Sequence, residues 1–134
     1  MPQINTLEND FFASKLEWET AGRYDANIGK QTWENKKDKA TKSYVYGYDP
    51  SSRMTVANYS GNGNEDYGIS NLSYDANGNI LNLVRKGFKG SNFGNIDQLS
   101  YTYTGNHLQK IDDAVTSNLN TKDFRDSVAT TDYT

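Results

Sequence analysis

One segment recurs along this chain: a tyrosine, a turn led by aspartate or glycine, and an aliphatic residue just past the turn. Tyr74-Asp75-Ala76-Asn77-Gly78-Asn79-Ile80 is its fullest form, and Tyr48-Asp49-Pro50-Ser51-Ser52-Arg53-Met54 lies in phase with it. Tyr103-Thr104-Gly105-Asn106-His107-Leu108, preceded by Tyr101, is one residue shorter, and Tyr24-Asp25-Ala26-Asn27-Ile28 is a degenerate upstream copy. The key tyrosines Tyr24, Tyr48, Tyr74 and Tyr103 are separated by 24, 26 and 29 residues, which suits one β-hairpin plus a connection per repeat.

Each copy carries its own turn chemistry. Asp75-Ala76-Asn77-Gly78 places Asp at the first position of a type I turn and Gly at the last, where positive φ is needed. Asp49-Pro50-Ser51-Ser52 fits the same turn, with Pro where its φ is required and Ser52 as a poorer positive-φ residue than Gly. Gly105-Asn106 fits a two-residue primed turn, so the missing residue is a change of turn type and strand pairing survives it. The loop lengths then set the register: Tyr48 opposite Met54, Tyr74 opposite Ile80, and Tyr103 opposite Leu108.

Period-two alternation supports the strands. Tyr44, Tyr46 and Tyr48 share a face, which Met54 and Val56 join from the return strand; Ser43, Val45, Gly47, Thr55 and Ala57 fall on the reverse. Leu99, Tyr101 and Tyr103 alternate with Ser100 and Thr102. The pattern predicts four hairpins, at 14–20/28–34, 42–49/53–59, 69–75/79–86 and 98–104/107–112. The Gly-rich stretch from Lys86 to Asp97 reads as a surface loop. Beyond residue 113 the pattern fades into a partly irregular tail, 114–134, in which Thr121 to Val128 suits one helical turn.

Composition agrees. Leu, Ile, Val and Phe total only 24 of 134 residues, but ten Tyr and two Trp add apolar surface. Sixteen Asn and 11 Gly supply turn positions, so aromatics plus turn-formers favour strands over helices. The expectation is a single all-β domain: an antiparallel hairpin meander forming a curved, twisted sheet with little or no helix. A net charge of −3 disfavours a basic nucleic-acid or membrane-surface binder. No run of about 20 apolar residues predicts membrane insertion. With no cysteine there is no disulfide, thiolate nucleophile or Cys-type zinc site.

No catalytic constellation emerges. The Asp75–Asn79 run alternates oxygen-bearing side chains, but a calcium loop needs Gly sixth and Glu twelfth, where Ile80 and Lys86 stand. His107 is the single histidine, beside a turn. Asp112 and Asp113 are neighbours and would point to opposite faces of a strand, and Asp123 and Asp126 read as solvated loop residues. Gly61-Asn62-Gly63-Asn64 opens no helix, so it reads as a hairpin connection rather than a phosphate loop. Lys36 to Lys39 reads as a solvated loop. Neither a metal nor another cofactor is expected. The aromatics alone have functional reach: Tyr44, Tyr46 and Tyr101 are candidates for stacking a sugar ring or a peptide. Cross-strand packing explains the same spacing and is the preferred reading.

The repeated Tyr-Asp-x-x-Gly-Asn/Arg-aliphatic unit resembles the YD repeat of RHS (rearrangement hot spot) proteins. Leu99 to Leu108 and Asn27 to Trp33 are similar to flanks of the Bacteroidetes type, and the resemblance covers about residues 10–134. It implies a structural role for Tyr48, Asp49, Arg53, Met54, Tyr74, Asp75, Gly78, Asn79, Ile80, Tyr101, Tyr103, Gly105, Asn106 and Leu108. It also implies a secreted or cell-surface β-shell that encloses or presents a C-terminal, toxin-like domain. Four hairpins are too few to close a shell, and the DPxGL-type core terminus is absent. The expectation is a fragment whose partner is the rest of the parent chain, or itself through edge strands. The alternative expectation is a glycan- or surface-binding module; an enzyme is not expected.

Overall fold

The computed structural model describes residues 4–18 and 24–115. They form one open antiparallel sheet of nine strands in which sequence order equals spatial order, and no helix occurs among them. The strands are β1 (Ile4–Glu8), β2 (Phe12–Trp18), β3 (Ile28–Asn35), β4 (Ala40–Tyr48), β5 (Met54–Ser60), β6 (Ile69–Tyr74), β7 (Ile80–Phe88), β8 (Phe93–Thr104) and β9 (His107–Asp113). The four expected hairpins are β2/β3, β4/β5, β6/β7 and β8/β9. The helical turn at Thr121 to Val128, most of the 114–134 tail, Asp123 and Asp126 lie outside the described residues.

The register read from the loops holds: Tyr48 opposes Met54, Tyr74 opposes Ile80 and Tyr103 opposes Leu108. Directly beyond each of these pairs the return strand carries one unpaired residue. Gly47 opposes Val56, leaving Thr55 over; Ser73 opposes Asn82, leaving Leu81; Thr102 opposes Lys110, leaving Gln109. In β2/β3, Trp18 opposes Ile28 and Glu17 opposes Lys30, leaving Gly29. One bulge therefore recurs at the same place in all four hairpins. A bulge bends its strand and increases its right-handed twist, so the repeat carries its own curvature.

That extra residue corrects two face assignments. Val56 lies opposite Gly47, and a Cβ on Gly47 would meet its Cγ1 at 2.6 Å. Ala57 pairs with Tyr46 on the tyrosine face and is buried. Period-two counting through an unrecognised bulge reverses every residue beyond it.

Three other expectations change. Tyr24 is 83% exposed in the connection between β2 and β3, and Trp18 holds the position opposite the aliphatic residue. The degenerate copy matched the turn and missed the strand, because an indole occupies the tyrosine's place. The stretch from Lys86 to Asp97 is mostly strand, closed by a short turn in which Lys89 N–H donates to the Asn92 carbonyl at 2.7 Å. Its glycines divide between packing and turn: Gly87 faces Gly94, and a Cβ at Gly87 would meet Ile96 Cδ1 at 2.9 Å, while Gly90 supplies the positive φ of the turn, 96°. Finally, β1 has no counterpart in the expected strands. Its signal was Asn9, whose side-chain oxygen accepts from Phe11 N–H at 2.9 Å and Phe12 N–H at 2.8 Å and so turns the chain into β2.

Cross-strand pairing sorts the faces. One bears Gln31, Tyr44 and Tyr59 in a row, and Tyr46, Ala57, Ile69, Arg85 and Asp97 in another. The reverse bears Thr32, Ser43 and Ser60, with Ser100 opposite Asp112 and Thr102 opposite Lys110. The first face is the more apolar, as in an antiparallel sheet with one solvated side, but the division is incomplete: Val56 and the buried Val84 lie on the reverse, and Arg85 and Asp97 on the first. Ala57, Leu72, Ile96, Leu99 and Ile111 are among the sheet's buried residues.

Candidate functional site: hairpin corners and the tyrosine face

The two aspartate-led corners are superimposable in their bonding. Asp49 Oδ1 accepts from Ser51 N–H at 2.9 Å and Arg53 N–H at 3.0 Å, and its Oδ2 accepts from Arg53 Nε at 2.7 Å. Asp75 Oδ1 accepts from Asn77 N–H and Asn79 N–H, each at 2.9 Å, and its Oδ2 accepts from Asn79 Nδ2 at 2.8 Å. Arg53 and Asn79 do the same work, and this explains why the fifth position of the corner takes either a cation or an amide. These donors hold both carboxyls below the usual aspartate range: the Arg53 backbone N–H leads at Asp49, and the Asn79 side chain at Asp75. Positive φ falls at Ser52 (59°) and Gly78 (86°), the positions that the turn requires. The third corner differs as expected: Thr104 pairs with His107, and Gly105 has φ 59°.

The key tyrosines tie consecutive hairpins together. Tyr48 Oη donates to the Ile28 carbonyl at 2.8 Å, Tyr74 Oη to the Met54 carbonyl at 2.7 Å, and Tyr103 Oη to the Ile80 carbonyl at 2.8 Å. In each case the acceptor is the first residue of the preceding hairpin's return strand, the aliphatic member of the repeat. The motif therefore encodes a bond between repeats, made by the hydroxyl that distinguishes Tyr from Phe. The corners are joined as well. Arg53 Nη1 donates to the Asp75 carbonyl at 3.0 Å, with the guanidinium 4.8 Å from the Tyr74 ring centre. Asn77 and Asn79 both donate through Nδ2 to Asn106 Oδ1, at 2.9 and 3.0 Å.

The residues considered for ligand stacking are not brought together. Tyr44 and Tyr46 are neighbours on β4, with ring centres 5.9 Å apart, whereas Tyr101 sits on β8 opposite Ile111. Tyr44 Oη donates to the Tyr67 carbonyl at 2.9 Å, and Tyr46 Oη donates to Gln31 Oε1 at 3.0 Å. All three rings are half-buried. Around them runs an aromatic belt that sequence reading missed. Trp33, Tyr44, Tyr59, Tyr67 and Phe93 follow one another at centroid separations of 5.7, 5.2, 5.3 and 5.2 Å. Counting the bulge at Thr55 would have revealed Tyr59, which pairs with Tyr44. A cavity of about 390 Å³ opens beside the belt, lined by Tyr44, Tyr67, Ile69, Phe88 and Ile96 among others.

Two polar groups are set into this face. Asp97 is 2% exposed and forms an ion pair with Arg85 on the neighbouring strand. Tyr59 Oη donates to Glu65 Oε2 at 2.9 Å, and Lys42 Nζ reaches the same carboxylate oxygen at 3.0 Å. Burial, followed by the Glu65 bond, pushes the Tyr59 phenol up to about 12. In an ultraviolet pH titration, part of the tyrosinate absorbance should therefore appear only near pH 12. That late fraction should be lost in Tyr59→Phe; its persistence in the variant would remove the assignment.

Among the described residues no group of three or more His, Cys, Asp or Glu side chains could hold a metal ion. His107 is exposed at the start of β9. Asp112 pairs with Lys110, while Asp113 Oδ1 accepts from Gln98 N–H and Val115 N–H, both at 2.9 Å, so the neighbouring carboxylates serve separate structural bonds. Lys36 binds Glu8 across the sheet end. No helix among the described residues is long and apolar enough to cross a membrane. No family model, curated protein or solved structure matches the chain.

Proposed function

We propose that this chain is a wall segment of the YD-repeat type, part of an RHS-like β-shell of a secreted or cell-surface protein that encloses or presents a C-terminal domain. It works by its wall and not by catalysis. Its partners are the remainder of a longer parent chain, or further copies through the sheet edges. The observation that carries this reading is the hydroxyl tie repeated at Tyr48, Tyr74 and Tyr103, because it commits the motif's defining side chain to joining one repeat to the next. The competing reading, a glycan- or surface-binding module, needs tyrosines that present their rings and hydroxyls outward. Tyr44 and Tyr46 are half-buried, and each hydroxyl donates to a protein acceptor.

The test compares stability with binding. Tyr48→Phe, Tyr74→Phe and Tyr103→Phe should each lower the unfolding free energy by about 1 kcal/mol, read from urea melts, since one half-buried hydrogen bond is removed and the ring is kept. Titration with oligosaccharides followed by NMR should leave Tyr44, Tyr46 and Tyr101 unshifted. Three neutral Phe variants together with saturable shifts at those tyrosines would replace the wall with the binding module.

A further inference from the structure

Three contacts join one hairpin to the next, and they are not equal. β3 and β4 are joined by six ladder pairs, from Lys30–Val45 to Asn35–Ala40. β7 and β8 are joined by seven, from Asn82–Ser100 to Phe88–Phe93. β5 and β6 share one, Ala57–Ile69. The connection across this junction is also the longest of the three, running from 61 to 68 where the other two run from 36 to 39 and from 89 to 92. β6 is itself irregular: its register shifts between Ser70 and Ser73, and Asn71 takes φ 52°, a left-handed conformation uncommon outside glycine.

Side chains supply most of the remaining bonding across this junction. At the corner end, Tyr74 Oη reaches the Met54 carbonyl and Arg53 reaches the Asp75 carbonyl. At the other end the 61–68 connection is held from the first side by Tyr44 on the Tyr67 carbonyl and by Lys42 and Tyr59 on Glu65. From the second side it is held by Lys86, whose ammonium pairs with Asp66 at 2.7 Å and whose N–H donates to the Gly68 carbonyl at 2.9 Å. Two cavities, of about 390 and 110 Å³, lie along the junction and have Ile69 and Lys86 in common. Elsewhere in the sheet, a rotation between neighbouring strands must break several backbone bonds together. Here it breaks one pair and stretches a few flexible side chains.

We infer that the β5/β6 junction is a hinge, and that the sheet is two panels, β1–β5 and β6–β9, which turn against each other about the Ala57–Ile69 pair. Cooperative units of a protein separate where backbone bonding between them is sparsest, and openings at such a boundary are less costly than global unfolding. Through this hinge a ribbon of otherwise uniform repeats can change its curvature at one place.

Residue-resolved amide exchange on the 134-residue chain tests this. Amides of β5 and β6 that face the junction should exchange about tenfold or more faster than those bonded across β3/β4 and β7/β8. Tyr74→Phe should accelerate the junction amides further, and by a clearly larger factor than those across β7/β8. Equal protection at all three junctions would overturn the hinge. So would uniform acceleration in the variant, which is whole-sheet unfolding. Junction amides that are fast in both proteins and insensitive to the substitution would also overturn it, because they would simply lack a bond. If Tyr74→Phe does not fold, Tyr44→Phe, which removes the tie to Tyr67 at the opposite end, is read in the same way.

Discussion

Arg85→Ala lowers the unfolding free energy by about 3 kcal/mol, the largest loss expected from any single exposed side chain of this sheet. The reason lies in its partner. Asp97 is 2% exposed, and the guanidinium of Arg85 meets its carboxylate from the directly opposing position on the next strand. Removing the cation takes a directly paired charge away from a buried carboxylate, which costs more than the loss of an exposed ion pair. The Arg85 side chain is 44% exposed, so water partly screens the pair, and the low end of the range for broken buried pairs applies. Replacing both partners, as Arg85→Met with Asp97→Leu, should recover most of the loss, because a packed apolar pair has no charge to desolvate. Urea melts of both single variants and the double variant measure the coupling. A loss below about 1 kcal/mol in Arg85→Ala would show that the carboxylate does not depend on this cation.

Gly78→Val costs about 2 kcal/mol, and the cause is the backbone alone. Gly78 has φ 86°, where a β-branched residue is strongly disfavoured, yet a Cβ placed there meets nothing within 4 Å. No steric clash enters the comparison, so Gly78→Asn should cost much less, since asparagine tolerates the left-handed region. The second corner supplies the mirror case. Ser52 holds the equivalent position with φ 59°, and Ser52→Gly should stabilise the chain by about 1 kcal/mol. Thermal melts giving the same Tm for Gly78→Val and Gly78→Asn would contradict the turn assigned to Asp75–Gly78.

The corners were legible because everything that makes them is local. Asp49 and Asp75 bind backbone N–H groups two and four residues ahead, and the positive-φ residue stands three ahead. Such bonds are a property of a short stretch of chain, and spacing alone announces them. Tyr59 and Trp33 were illegible for the opposite reason. Their place on the aromatic face depends on the unpaired residue at Thr55 and on the register between β3 and β4. β1 is not legible in sequence because all five of its residues are exposed and no buried stripe marks them. Trp18 carries no repeat signature in sequence because it lacks the tyrosine of the other copies, and only its pairing with Ile28 shows that it holds the equivalent place.

Strand direction, hairpin register and corner chemistry are thus written in the order of residues, since each is closed by partners a few positions apart. The tyrosine-to-carbonyl ties, the burial of Asp97 and the sparse β5/β6 junction are decided only when hairpins lie side by side. A bond from Tyr74 to Met54 spans 20 residues and passes through a bulge, a connection and an irregular strand. Its existence depends on how those three deviations add, and no local pattern carries that sum.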